Sequence, residues 1–117
     1  MFIGDMGITV GNLFRPESTA AEGEEIHQLL ATDALRIEQI VSHGHPSPPG
    51  FWYDQADPEW VVLLKGSATL EMEGEESVNL DAGDYVLIPA HARHRVESVS
   101  EDALWLAVHF RQPKVTF

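Results

Sequence analysis

From Glu59 onward the chain is cut into short apolar runs, each closed by a turn signal. Glu59–Lys65 (EWVVLLK) stops at Gly66, and Ser67–Glu73 (SATLEME) stops at Gly74-Glu75-Glu76. Ser77–Leu80 ends at Asp81-Ala82-Gly83-Asp84, and Tyr85–Ile88 ends at Pro89. His94–Ser98 and Ala103–Phe110 follow, parted by Ser100-Glu101-Asp102. Runs this short, rich in β-branched and aromatic residues and punctuated by Gly, Pro and Asp, form strands. Ser67–Glu73 alternates with period two: Ala68, Leu70 and Met72 share one face, and Ser67, Thr69, Glu71 and Glu73 the other. The spacing predicts an all-β sandwich or barrel with no long helix.

The first half is less regular. Gly4, Gly7, Gly11 and Pro16 interrupt every apolar run before residue 20. Residues 1–30 therefore read as a loosely ordered N-terminal arm or edge segment that packs on the body or on a partner chain. Within it, Ala21–Thr32 suits either a turn or two of helix or an edge strand, and His27 reads as a solvated side chain. Residues 31–117 read as the barrel. Ala34–Ser42 alternates in part: Leu35 and Ile37 share a face, then Ile40 and Val41 shift the phase, as in a strand with a bulge. His43–Gly50 (HGHPSPPG) is a loop. Phe51–Gln55 reads as a short strand.

A length of 117 residues suits one domain with one core. With no cysteine, thiolate chemistry and disulfides are excluded, and any metal site must use imidazole, carboxylate or amide donors. The formal net charge is −12, from 19 acidic against 7 basic residues. Such a surface repels nucleic-acid backbones and anionic membranes, so neither is an expected partner. The opening MFIGDMGITVGNLFR lacks a cationic segment followed by an apolar one, and no apolar run approaches membrane-spanning length. A soluble, cytoplasmic protein is expected.

Two ionisable residues open apolar runs. Glu59 precedes Trp60-Val61-Val62-Leu63-Leu64, and His94 begins the run that contains Val96. Buried, either group is costly unless it pairs or binds something. Taken singly, Glu59 also reads as a surface carboxylate and His94 as a hydrogen-bonded core histidine. Strand parity puts Val61 and Leu63 on the face of Glu59, and Val96 on the face of His94. In the last strand Trp105, Ala107 and His109 share one face and Leu104, Leu106, Val108 and Phe110 the other. Both faces are apolar, which predicts a barrel interior plus a covered outer face, with a homodimer partner or the arm as the cover. Glu59 and His94 are candidate metal ligands, with Gln55, Asp54, Tyr53, His91 and His109 as further donors. His43 and His45 lie in the Pro/Gly loop and read as solvated, or as a lid or adventitious metal site. Trp52, Tyr53, Trp60 and Trp105 are candidates for lining a ligand pocket.

The stretch from about residue 50 to 98 resembles the two motifs of the cupin superfamily. The second motif is matched by Gly83, five residues, Pro89, one residue, His91, two residues and His94. His91 stands where the motif has glycine, and Ser98 where it has asparagine. The first motif is matched in its second half by Glu59, six residues and Gly66. Its histidine pair is absent: Tyr53 and Gln55, or Trp52 and Asp54 in the alternative spacing, occupy those positions. The resemblance implies a single-domain jelly-roll barrel like the small bacterial conserved-barrel cupins. It implies a divalent metal (Zn, Ni, Mn or Fe) at Gln55, Glu59 and His94, with Tyr53 or Asp54 moving protons and Trp52, His91, Trp105 and His109 lining the pocket. Three functions stay open for a small-molecule ligand. They are a metal-dependent dioxygenase or isomerase, a metal-free acid–base isomerase or epimerase, and a non-catalytic binding module.

Overall fold

The structure, a computed structural model, describes residues 7–17 and 23–112. Residues 1–6 and 18–22 of the expected arm, and 113–117 of the expected barrel, lie outside the described residues. Eight strands follow in order: β1 Glu25–Ala31, β2 Leu35–Val41, β3 Glu59–Lys65, β4 Ser67–Met72, β5 Val78–Asp81, β6 Tyr85–Ile88, β7 His94–Val99 and β8 Leu104–Phe110. There is no helix among the described residues, and so none long and apolar enough to cross a membrane.

The strands form a five-stranded antiparallel sheet of order β1-β2-β8-β3-β6 and a three-stranded one of order β5-β4-β7. This is the all-β jelly roll that the turn spacing and motifs imply. Burial along β3 alternates as parity requires: Glu59, Val61 and Leu63 are buried while Trp60, Val62 and Leu64 are half-buried. In β8, Trp105, Ala107 and His109 face the interior. Val61, Leu63, Ala68, Leu70, Leu80, Ile88, Ala103, Trp105 and Ala107 make one core between the two sheets. Removing this much apolar area from water is the main force holding the sheets face to face.

One open alternative is decided and two expectations need correction. Ala21–Thr32 offered helix or strand, and residues 25–31 form the edge strand β1. The chain reverses at Thr32, whose hydroxyl accepts from the amides of Ala34 and Leu35 at 3.1 Å each, and β1 pairs back on β2. The bulge expected in Ala34–Ser42 lies instead in the partner strand. Leu29 of β1 is the extra residue, between the pairs Gln28–Glu38 and Leu30–Ile37. Phe51–Gln55 is not a strand. Only Tyr53 makes a β-bridge there, exchanging hydrogen bonds with His94 at 2.7 and 3.1 Å.

Residues 7–17 form neither strand nor helix. Ile8, Val10 and Phe14 are 93%, 87% and 61% exposed, and the Gln39 side-chain amide donates to the carbonyl of Leu13 at 2.8 Å. The arm thus touches the outer face of β2.

Gly66 joins β3 to β4 at φ +88, in the left-handed region, and a Cβ there would stand 2.9 Å from Ala103 Cα. Gly74 has a similar φ of +79 with nothing within 4 Å of such a Cβ. Gly74→Ala should therefore lose about 1 kcal/mol through backbone strain alone. Gly66→Ala should lose clearly more, because backbone must shift. Urea denaturation of the two variants checks this, and equal losses would contradict the packing argument.

Candidate functional site

The cavity lies where the two sheets meet. Cα pairing sets Glu59 of β3 beside His109 of β8, both on the inner face and 7% and 4% exposed. Glu38 reaches the same space from β2, and His94 comes from the opposite sheet as the first residue of β7. The loop before β3 adds Tyr53 and Gln55. It is held there by the Tyr53–His94 bridge and by the His91 amide donating to the Gln55 carbonyl at 2.7 Å. Glu24, just before β1, completes the polar layer, and the cavity encloses about 70 Å³. Ile26, Ile40, Val61, Leu70, Ile88, Val96 and Trp105 supply its apolar walls.

The polar groups form a chain of contacts. His94 Nδ1 lies 2.9 Å from the Ala92 carbonyl, so Nδ1–H donates there and Nε2 faces Glu59 Oε1 at 3.7 Å. At that distance the contact is electrostatic rather than a formed hydrogen bond. His109 Nε2 bonds Glu38 Oε1 at 3.0 Å and stands 4.0 Å from Glu59 Oε2. Arg36 Nε donates to the other Glu38 oxygen at 2.9 Å. The Tyr53 hydroxyl donates to Glu24 Oε1 at 3.1 Å, and its ring stacks on His94 with centroids 5.3 Å apart. Among the described residues, Gln55 Oε1 is buried with no hydrogen-bond partner.

Burial pushes the Glu24 carboxyl above its ordinary value. The Tyr53 hydrogen bond opposes that rise, and the charges of Glu59 and Glu38 add to it. Burial, reinforced by Glu24 and Glu59, also pushes the Tyr53 phenol far up, so it stays a neutral donor. For His94, burial favours the neutral ring. Glu59 and the Ala92 carbonyl favour the imidazolium and win, leaving the group above its ordinary 6.5.

Of the residues singled out from the sequence, Tyr53, Gln55, Glu59, His94, Trp105 and His109 line this cavity. Trp52, Asp54 and His91 do not. Alternation along the loop turns Tyr53 and Gln55 inward and Asp54 outward, where it pairs with the exposed His91 at 2.9 Å. Trp52 lies under Arg93 on the outside, 5.5 Å from ring centroid to guanidinium carbon. His43 sits away from the cavity, 2.5 Å from the buried carboxylate of Glu25. His27 is not a freely solvated side chain: it is half-buried, 3.7 Å from the same carboxylate. The reading missed Glu24 and Glu38. Leu35 and Ile37 on one face and the phase shift at Ile40 and Val41 leave the inner face of β2 open in the sequence; Glu38 and Ile40 are the residues that line the cavity. The charge of Glu38 amid apolar neighbours was the available signal.

The sequence pattern of the family described as Cupin domain matches residues 37–109. The chain belongs to the cupin family. A solved structure of a candidate mannose-6-phosphate isomerase from Ralstonia eutropha is 42% identical. The match covers 90% of this cupin and 100% of that chain, with a TM-score of 0.84. Two more distant structures share the fold. KdgF from Halomonas sp. is 18% identical over 87% of this chain and 93% of its own, with a TM-score of 0.67. An RmlC-like cupin family protein from Methanocaldococcus jannaschii is 22% identical over 81% and 86%, with a TM-score of 0.64. No curated protein matches the chain.

Among the described residues, no three His, Asp or Glu side chains are arranged to hold a metal ion. His109 is engaged with Glu38, which leaves His94 Nε2 and Glu59. Their 3.7 Å separation suits two donors on one ion, since bonds of about 2.1 Å allow donors up to about 4.2 Å apart. The orphaned Gln55 Oε1 offers a third, neutral donor. The donor set therefore fits a weakly held divalent ion.

The imidazolium of His94 favours the folded state. Its contribution is complete below pH ~6.5, the unfolded value, and is lost as pH rises through the higher folded value. Glu59→Gln removes the main opposing charge. Histidine-detected NMR titration should place His94 above 6.5 in the wild type and at a lower value in Glu59→Gln. An unchanged value would show that Glu59 does not hold the proton.

Proposed function

We propose that this cupin is an enzyme that isomerises a small molecule by proton transfer, with Glu59 as base and His94 as acid. The observation that carries the reading is the buried Glu59–His94 pair, which faces a cavity from two different sheets. A carboxylate and an imidazole that face each other inside a cavity are placed to act as general base and general acid, and Glu59 favours the proton on His94. In an α-hydroxy carbonyl compound, Glu59 takes the proton from the hydroxyl-bearing carbon. The electron pair moves to form an enediol as the His94 imidazolium protonates the carbonyl oxygen. Return of one proton to the former carbonyl carbon and loss of the other from the first hydroxyl gives the isomer. Both side chains end as they began, so no redox partner is needed. Tyr53 orients the site by stacking on His94. Likeness to the 42% identical structure described as a candidate sugar-phosphate isomerase supports this reaction class.

A second reading has a specific observation behind it, the unpartnered Gln55 Oε1. Gln55, Glu59 and His94 would hold a divalent ion, which when bound would polarise a substrate oxygen. The rest of the lining would position the substrate in the same way.

We also infer that the outer face of the five-stranded sheet meets a second copy of this chain. Trp60, Val62, Leu64, Leu106, Val108 and Phe110 are half-buried there, uncharged and apolar, so two copies meet without placing like charges together. The arm extends from this face with Ile8 and Val10 almost wholly exposed. Light scattering coupled to gel filtration should give a dimer, and Val62→Lys with Leu106→Lys should give a monomer. A monomeric wild type would overturn this.

Hydroxy-carbonyl compounds incubated with the protein in D₂O should incorporate deuterium at the carbon beside the carbonyl. Glu59→Gln and His94→Asn should each slow the exchange by about 10²-fold or more, and Tyr53→Phe by less. Exchange that survives both substitutions would sink the acid–base reading. Metal analysis of untagged protein decides between the readings: one ion per chain, lost in Gln55→Ala, Glu59→Ala and His94→Ala, would put the metal reading first.

A further inference from the structure

The cavity lining is rich in hydrogen-bond acceptors and poor in donors. Among the described residues it carries three carboxylates, Glu24, Glu38 and Glu59, and no lysine or arginine. The groups able to offset that charge already face carboxylates. Arg36 and His109 each bond Glu38, at 2.9 and 3.0 Å, and His94 faces Glu59. The Tyr53 hydroxyl points its hydrogen at Glu24. Gln55 Oε1 is buried without a partner and needs a donor to reach it. Ile26 is 54% exposed and lines the cavity, so the cavity reaches solvent at that residue, and Glu24, two residues before it, is also in the lining. An entering anion therefore meets a carboxylate first. The net charge of −12 extends the repulsion beyond the mouth.

We propose that the cavity takes uncharged polyhydroxy carbonyl compounds, free sugars and their open-chain forms, and rejects their phosphate esters. The inference rests on the acid–base reading of this cavity and specifies its substrate class. It departs from what the name of the 42% identical structure would suggest for this chain. A free sugar presents what the lining lacks. Its carbonyl end enters the roughly 70 Å³ interior, where its hydroxyls donate to Glu24, Glu38 and Gln55 Oε1 and its C–H groups lie against Ile40, Val96 and the Trp105 ring, with the rest of the chain at the open side. A phosphate brings two negative charges and further acceptors into a lining with no cationic side chain free to receive them.

Titration calorimetry tests this with the full-length protein at low ionic strength and with EDTA present. The probes are matched pairs: mannose, glucose, fructose and ribose, each against its terminal phosphate ester. At least one free sugar should bind, and at least tenfold more tightly than its ester. Gln55→Leu should weaken the free sugar about tenfold, and Glu24→Gln should narrow the gap between the members of the pair. An ester that binds as tightly as its free sugar, or a panel in which no free sugar binds, overturns the proposal. The deuterium-exchange assay keeps the two readings apart. A phosphate ester that binds and exchanges overturns the substrate class but leaves proton transfer standing. A free sugar that binds without exchange does the reverse.

Discussion

Glu59 and His94 stand 3.7 Å apart at the seam between the two sheets, one at the start of β3 and the other at the start of β7. Neither would be tolerated there alone. A buried carboxylate without a countercharge loses its hydration for nothing, and an imidazole among apolar walls gives up its proton. Together they compensate, and the Ala92 carbonyl fixes which ring nitrogen faces inward. The backbone exchange between Tyr53 and His94 brings the loop before β3 against β7, so Tyr53 and Gln55 arrive in the cavity with no strand of their own. The site is thus assembled by pairing across the barrel, not by any continuous stretch of chain.

A second dependence runs through β2. Glu38 is held by Arg36 on one oxygen and His109 on the other. This ties the carboxylate to its own strand and to the neighbouring β8, and it keeps His109 from joining Glu59 in a fuller donor set. The arrangement separates this site from one built on the first motif's histidine pair by physics as well as by count. Tyr53 is a neutral phenol, Gln55 an amide, and His109 already has a partner. What remains is a two-residue acid–base pair with an unmatched amide oxygen nearby.

The fold was legible because glycine and proline punctuation is local, and β3 through β8 were bounded to within a residue or so at each end. Parity did most of the rest: alternation along Glu59–Lys65 and Ala103–Phe110 predicts which side chains face inward, and burial follows it. Where alternation was imperfect, legibility failed. In β2 the apolar pattern changes phase between Ile37 and Ile40, so it favours neither face, and Glu38 on the inner face carries no alternation signal. In the loop, Trp52, Tyr53, Asp54 and Gln55 all carried plausible chemistry, and only the hydrogen bonds of Tyr53 decide that odd positions face in. Glu24 could not be read at all. Its approach depends on β1 folding back on β2, a pairing that the pattern before residue 32 left open between helix and strand.

Trp105 is 4% exposed, and its ring forms part of the cavity wall while its indole nitrogen donates to Ser42 at 3.1 Å. Trp52 and Trp60 lie outside that cavity and are half-buried. An indole so placed has its own emission spectrum, set by a dry and rigid neighbourhood. Anything that enters changes the contacts of that face and with them its emission and quenching, while the other two provide a steady background. The molecule therefore carries a built-in optical gauge of occupancy, needing no label.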